Sequence, residues 1–308
     1  MRAKDHSRFS EIETNLIEYS KSHVRLRGIS RKAERQTFVR QLLDSIRRVE
    51  YVARIQQRDV SELRCEPASE MFDPLRAAIL FSREGNLDEA FWLVFLYTHF
   101  SKNQNTGWLL GREIYGGLAG KTWTWTEVST KTQQFCSWLD RNQSKFSGKF
   151  GNHRKYESLK PSLTHGTRAV VKSYVEWIGS SRSHDILIQK AADESDGSPT
   201  GMFAWFMEDM KKVLRFGRLA RFDHLTMIGK LGLADISPGS PFLKGATGPL
   251  SGAKLLFNGA TDSKANTTGQ LDVQVVHLGN YLGVGMQEME DSICNWQKSP
   301  DSYELFRG

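Results

Sequence analysis

Several absences narrow this 308-residue chain before anything present is considered. It has only three cysteines, Cys65, Cys136 and Cys294, widely spaced and odd in number. That excludes a disulfide framework and a CxxC metal pair; core thiols in a reducing cytoplasm are the simple reading. No run of about eighteen apolar residues occurs, so no membrane span is expected, and a membrane is not the first expected partner. The charged start, with Asp5 and Arg8 and no apolar stretch behind them, does not read as a secretory signal. HExxH, Gly-x-Ser-x-Gly and paired Cys/His zinc spacings are all missing, which leaves metalloprotease and serine-hydrolase chemistry with little support and implies no metal and no cofactor. Sustained apolar/polar alternation is also lacking, so the fold class expected is all-α. No internal repeat is visible.

The residues that are present suit a folded, basic protein. An apolar content of 39% with eight Trp supplies a core for one large domain or two modest ones. The net charge of +7 favours a polyanionic partner, nucleic acid first and an anionic membrane surface second. Basic residues concentrate at the start. Arg25, Arg27, Arg31, Lys32 and Arg35 precede an amphipathic stripe of Phe38, Leu42, Ile46, Val49 and Val52 dressed with Arg40, Arg47, Arg48, Arg54 and Arg58. These cations suit either an arm on DNA phosphates or a solvated helix face. The expected regions are a basic helical extension over 1–65 and a catalytic region over 66–308.

Further along, Asn86 caps a helix from Leu87 to Phe100 that is apolar nearly all round, the expected buried centre. His99 and Lys102 fall at its C-terminal end, where the helix dipole favours cations. Thr124-Trp125-Thr126-Glu127 reads as a capping box opening a helix to Asp140. Trp123, Trp125 and Trp138 there are either core or a stacking surface for an extruded base. The stretch from Ser144 to Tyr156 gathers glycines, Asn152, His153, Arg154 and Lys155, a combination able to grip a multiply charged anion, though it is no Walker loop. Arg215, Arg218 and Arg221 recur every three residues and are expected to share a face, with Asp223 as their counter-charge. A helix over Leu219–Leu231, a Gly/Pro break and a second helix from near Ser251 form the expected helical hairpin. The freed N–H groups at the start of its second helix make an anion site.

Thr247-Gly248-Pro249-Leu250-Ser251-Gly252-Ala253, followed by Leu271-Asp272-Val273-Gln274-Val275, resembles the helix-hairpin-helix and catalytic aspartate of the base-excision DNA glycosylases. Gly248 matches the family's first glycine and Asp272 its aspartate. Leu250 replaces the second glycine, and Gly252 stands where bifunctional members carry a lysine, so Schiff-base chemistry is not implied. A closer resemblance covers most of the chain. Glu89-Ala90-Phe91-Trp92, Thr98-His99-Phe100-Ser101-Lys102, Phe150-Gly151-Asn152-His153-Arg154-Lys155-Tyr156, Phe216-Gly217-Arg218-Leu219-Ala220-Arg221-Phe222-Asp223 and Gly245-Ala246-Thr247-Gly248-Pro249-Leu250 are similar to the α-glutamyl/putrescinyl thymine pyrophosphorylases, or amino acid:DNA transferases.

That resemblance implies a glycosylase-like helical fold of phage type, working in the host cytoplasm. It also implies an enzyme that displaces pyrophosphate from pyrophosphorylated 5-hydroxymethyluracil in double-stranded DNA with a small amine or amino acid. On that reading Asp272 is the first candidate for general base or electrostatic stabiliser, Asp223 the reserve, and His153 a third catalytic candidate. His99, Lys102, Asn152, Arg154, Lys155, Arg215, Arg218, Arg221, Gly248, Gly252 and Lys254 are the candidates for holding pyrophosphate and DNA. A helix-hairpin-helix glycosylase using water at C1′, and a DNA-binding protein without catalysis, stand as alternatives.

Overall fold

The structure, a computed structural model, describes residues 3–306. Among them are fourteen α-helices and no strand, as the missing alternation requires. In chain order these are α1 (Ala3–Ser22), α2 (Lys32–Gln56), α3 (Pro74–Arg83), α4 (Leu87–Phe100), α5 (Leu109–Tyr115), α6 (Trp125–Thr130), α7 (Thr132–Asn142), α8 (Thr167–Ile178), α9 (His184–Glu194), α10 (Pro199–Asp209), α11 (Arg218–Lys230), α12 (Gly248–Asn258), α13 (Thr268–Leu282) and α14 (Met286–Trp296). By packing, the chain falls into two compact units. One joins the chain through Val52 to the chain from Pro238 onward; the other is Ala53–Ser237.

In the first unit α1 and α2 pack with α12, α13 and α14 around Leu16, Phe38, Leu42, Leu256, Val275, Ile293 and Trp296. The α2 stripe turns inward as its spacing predicts, with Phe38, Leu42 and Ile46 buried. Several arginines of the basic stretch are matched by acids of the same unit. Arg31 meets Glu34 and Asp301, Arg35 meets Glu13, Arg47 meets Asp5 and Asp44, and Arg48 meets Asp291 at 2.6 Å. For these four residues the charge is at least partly answered within the fold.

In the second unit α4 is the central rod. Phe91 to Leu96 are all buried, because a helix apolar on every face is covered on every face. α3 and α11 pack along it. Asp73 caps α3 by accepting from the Leu75 and Arg76 amides at 3.1 Å, with Pro74 in the first turn. Asn86 caps α4 through the Glu89 amide. Glu89 itself reaches across the unit: one carboxylate oxygen accepts from the Tyr115 hydroxyl and the other from the Trp125 amide, both at 2.7 Å.

Some local expectations are corrected. Only half the capping box at Thr124 forms, since Glu127 turns its carboxylate to Lys121 and Lys131. The helix expected to reach Asp140 breaks at Lys131, whose non-helical backbone (φ −126°, ψ 39°) divides it into α6 and α7. The helix after the Gly/Pro break begins at Gly248 rather than Ser251. α11 and α12 belong to different compact units, with residues 231–247 between them.

Candidate active site

The anion-gripping stretch is positioned by the end of α4. The Gly151 amide donates to the Phe100 carbonyl at 2.8 Å, and Asn103 donates to the Phe150 carbonyl at 2.8 Å. A side chain at 151 is unwelcome, because a Cβ there would lie 2.7 Å from the Lys102 carbonyl oxygen and from Ser101. The chain then turns once through Asn152–Arg154. Arg154 donates from Nε to the Thr98 carbonyl at 3.0 Å, and its guanidinium lies over the Phe216 ring. It therefore caps the negative end of α4 with a half-buried cation. Arg215 follows, at φ +61°, and its Nε is shared between both Glu157 carboxylate oxygens at 3.2 Å.

Asp223 lies in the second turn of α11 and is partly buried. Burial pushes its carboxyl above the usual carboxylate range, while His153, Arg154, Arg218 and Lys230 pull the other way. A carboxylate whose pKa is raised by burial despite nearby Arg154, Arg218 and Lys230 is a better base than an exposed one. The Tyr97 phenol is pushed up to about 12, mainly by burial and then by the charges of Asp223 and Asp73.

Behind this cluster sit two neutral imidazoles. His99 is wholly enclosed, stacked against Phe95 and edged by Phe100 and Phe150. Burial drives its pKa down to about 3, with Arg154 and Arg215 adding to the effect. Its Nε2 meets the Thr167 hydroxyl at 3.1 Å, and that hydroxyl donates to the Ser158 carbonyl. Its Nδ1 has no partner. His224 is depressed to about 3 by burial and meets the Thr98 hydroxyl at 3.4 Å. The dipole argument placed His99 as a cation at the helix end; burial makes it a neutral imidazole instead, donating from Nε2 to the Thr167 hydroxyl oxygen.

The second unit thus brings His153, Arg154, Arg218 and Asp223 together, with Arg215 and Glu157 alongside. Lys102, just past the end of α4, is exposed, and so are Asn152 and Lys155 on the anion-gripping stretch, Lys155 over the Tyr156 ring. Arg221 does not share their face. It is buried, donating to the Met207 carbonyl at 2.8 Å, and Arg215 lies before the helix begins. Trp123 and Trp125 are core residues, and the Trp125 indole donates to the Arg182 carbonyl. Lys230 and Tyr97 were not among the sequence candidates. Lys230 was legible in principle, since it lies two turns beyond Asp223 on one helix face.

The remaining candidates lie in the first unit. Gly248 and Gly252 form the face of α12 that meets α14. A Cβ on Gly252 would stand 2.2 Å from the Ile293 carbonyl oxygen, and one on Gly248 2.7 Å from Cys294 Sγ. Both glycines are accounted for by close helix packing. Lys254 is half-buried on the same helix. Asp272 lies in the second turn of α13, whose first turn is closed by a Thr267/Gln270 capping box. One of its oxygens accepts from the Leu243 amide at 3.2 Å, holding the segment that leads into α12.

An all-helical protein with a partly buried carboxylate under the charge of nearby arginines is the class that fold and site define. The family model described as alpha-glutamyl/putrescinyl thymine pyrophosphorylase clade 3 matches residues 33–308, and the chain belongs to that family. No curated protein and no solved structure matches it. Among the described residues, no helix is long and apolar enough to cross a membrane.

Proposed function

We propose that this protein replaces the pyrophosphate of 5-(pyrophosphoryloxymethyl)uracil in double-stranded DNA with an amine, an amino acid or a polyamine. The family supports action on a modified thymine. The observation that carries the finer reading is the Asp223 cluster, where one raised carboxylate stands among His153, Arg154, Arg218 and Lys230. The amine nitrogen attacks the exocyclic methylene carbon. A C–N bond forms, the C–O bond breaks, and its electron pair leaves with pyrophosphate. Asp223 takes the proton the amine sheds, and a carboxylate whose pKa is raised does this better than an ordinary one. Arg154, Arg218 and Lys155 meet the charge growing on the leaving group, and fixed cations do so without reorganising. Asp223 is preferred to Asp272 as the base because an Asp272 oxygen already holds the Leu243 amide.

Mass spectrometry of nucleosides from pyrophosphorylated DNA incubated with the protein and mixed amines tests the reaction. The expected product is an amine-substituted thymine with free pyrophosphate; an abasic site instead would establish a glycosylase. Asp223→Asn should bind the modified DNA and release no pyrophosphate. Its wild-type counterpart should lose rate as pH falls through a limb above the ordinary carboxylate range, because the base becomes protonated there. Normal turnover by Asp223→Asn, or its loss in Asp272→Asn alone, would move the chemistry to the other carboxylate.

A further inference from the structure

The first thirty-two residues precede the family match, and they carry an arrangement the reaction above does not use. Tyr19 on α1 is fully buried, and the ring of His23 stacks on it with centroids 5.0 Å apart and planes within 7°. His277 and Tyr281, one turn apart on α13, close two further sides. The Tyr19 hydroxyl meets His277 Nδ1 at 2.8 Å, and the His277 and Tyr281 rings each lie 5.2 Å from His23. His23, His277 and Tyr281 are nevertheless exposed. The result is a ring stack with a buried base and an open top.

Cations gather on the segment that follows Glu18 and carries this stack. Lys21, Arg25 and Arg27 are exposed on the segment that carries His23, while Val24 and Leu26 turn toward the core. No Asp or Glu occurs in the sequence between Glu18 and Glu34. Lys21, Arg25 and Arg27 enter no ion pair among the described residues, unlike Arg31, Arg35, Arg47 and Arg48. The one acid of α13, Asp272, is occupied with the Leu243 amide.

Exposed aromatic rings held rigid by a buried ring, beside unanswered cations, suit a base on the rings and phosphates on the cations. Stacking needs an unpaired base, since a duplex buries its faces, and it tolerates any sequence because every base has a π face. We infer that the surface formed by Lys21–Arg27 and the His277/Tyr281 edge of α13 binds single-stranded DNA, with a base stacked on His23 and Tyr281 and the backbone on Lys21, Arg25 and Arg27. Such a site would hold an unpaired stretch whatever its thymines carry, so it stands independently of the reaction proposed above.

Fluorescence anisotropy of the full chain with a labelled, unmodified oligodeoxynucleotide, single-stranded or as blunt duplex, tests this without amine or pyrophosphate present. The single strand should bind more tightly than the duplex. His23→Ala with Tyr281→Ala should weaken single-strand binding roughly ten- to a hundredfold while leaving its salt slope unchanged, and His23→Phe should restore much of it. Lys21→Ala, Arg25→Ala and Arg27→Ala together should instead flatten the slope by about two, near 0.7 for each phosphate no longer neutralised. Helical circular dichroism confirms that each variant is folded. Wild-type binding by the folded His23/Tyr281 double variant, failure of His23→Phe to recover any affinity, or duplex preferred to single strand would each overturn the assignment.

Discussion

Gly252→Ala separates a packing glycine from a phosphate-cradling one. The added methyl carbon would stand 2.2 Å from the Ile293 carbonyl oxygen and 2.7 Å from its carbon. Ordinary contact is about 3.4–4 Å, so α12 and α14 must part by roughly 1 Å. Both partners are helix backbone, and neither can rotate away. Overpacking typically costs about 1–3 kcal/mol, and this site belongs at the upper end because Ala253, Leu256, Ile293 and Trp296 pack tightly beside it. Alanine recovers about 1 kcal/mol through helix propensity. The net loss is about 2 kcal/mol, or roughly 4–8 °C in Tm at 2–4 °C per kcal/mol. Two other glycines calibrate the estimate. Gly248→Ala meets Cys294 Sγ at 2.7 Å, a side chain that can turn aside, and should cost less. Gly269→Ala meets nothing within 4 Å and should stabilise by about 0.4–1 kcal/mol. Thermal melts by circular dichroism should therefore rank Gly252→Ala lowest and Gly269→Ala highest. A Gly252→Ala protein that melts with wild type but has lost DNA affinity would refute the packing account and restore the hairpin reading.

Two other outcomes concern the second unit. His99 and His224 are held neutral, their pKa values lowered to about 3, so below pH 6.5 only the unfolded chain takes up their protons. Their contribution is intact above that pH and is lost as pH falls, about 2–3 kcal/mol each by pH 4.5; urea midpoints against pH should show the decline, and His99→Asn should make it shallower, an unchanged slope counting against it. Glu89→Gln retains one acceptor for two buried donors, the Tyr115 hydroxyl and the Trp125 amide. It should lower stability by about 1–3 kcal/mol in chemical denaturation, and a variant as stable as wild type would show that those donors find other partners.

From the order of residues alone come the helical class, the buried course of α4 and the inward stripe of α2, because apolar period and the Asn86 cap are local properties of the chain. The charged stretch around Arg154 and the family to which the chain belongs were legible there too. Which cations stand together was not. Arg215, Arg218 and Arg221 keep a helical spacing on paper, but a left-handed residue at 215 and a carbonyl at Met207 send two of them elsewhere. Nor could residue order show that His99 is neutral or that Gly252 faces a backbone oxygen. Charge state depends on desolvation, and close approach depends on what a distant segment presents. Both are fixed only when residues far apart in the chain are brought within a few ångströms.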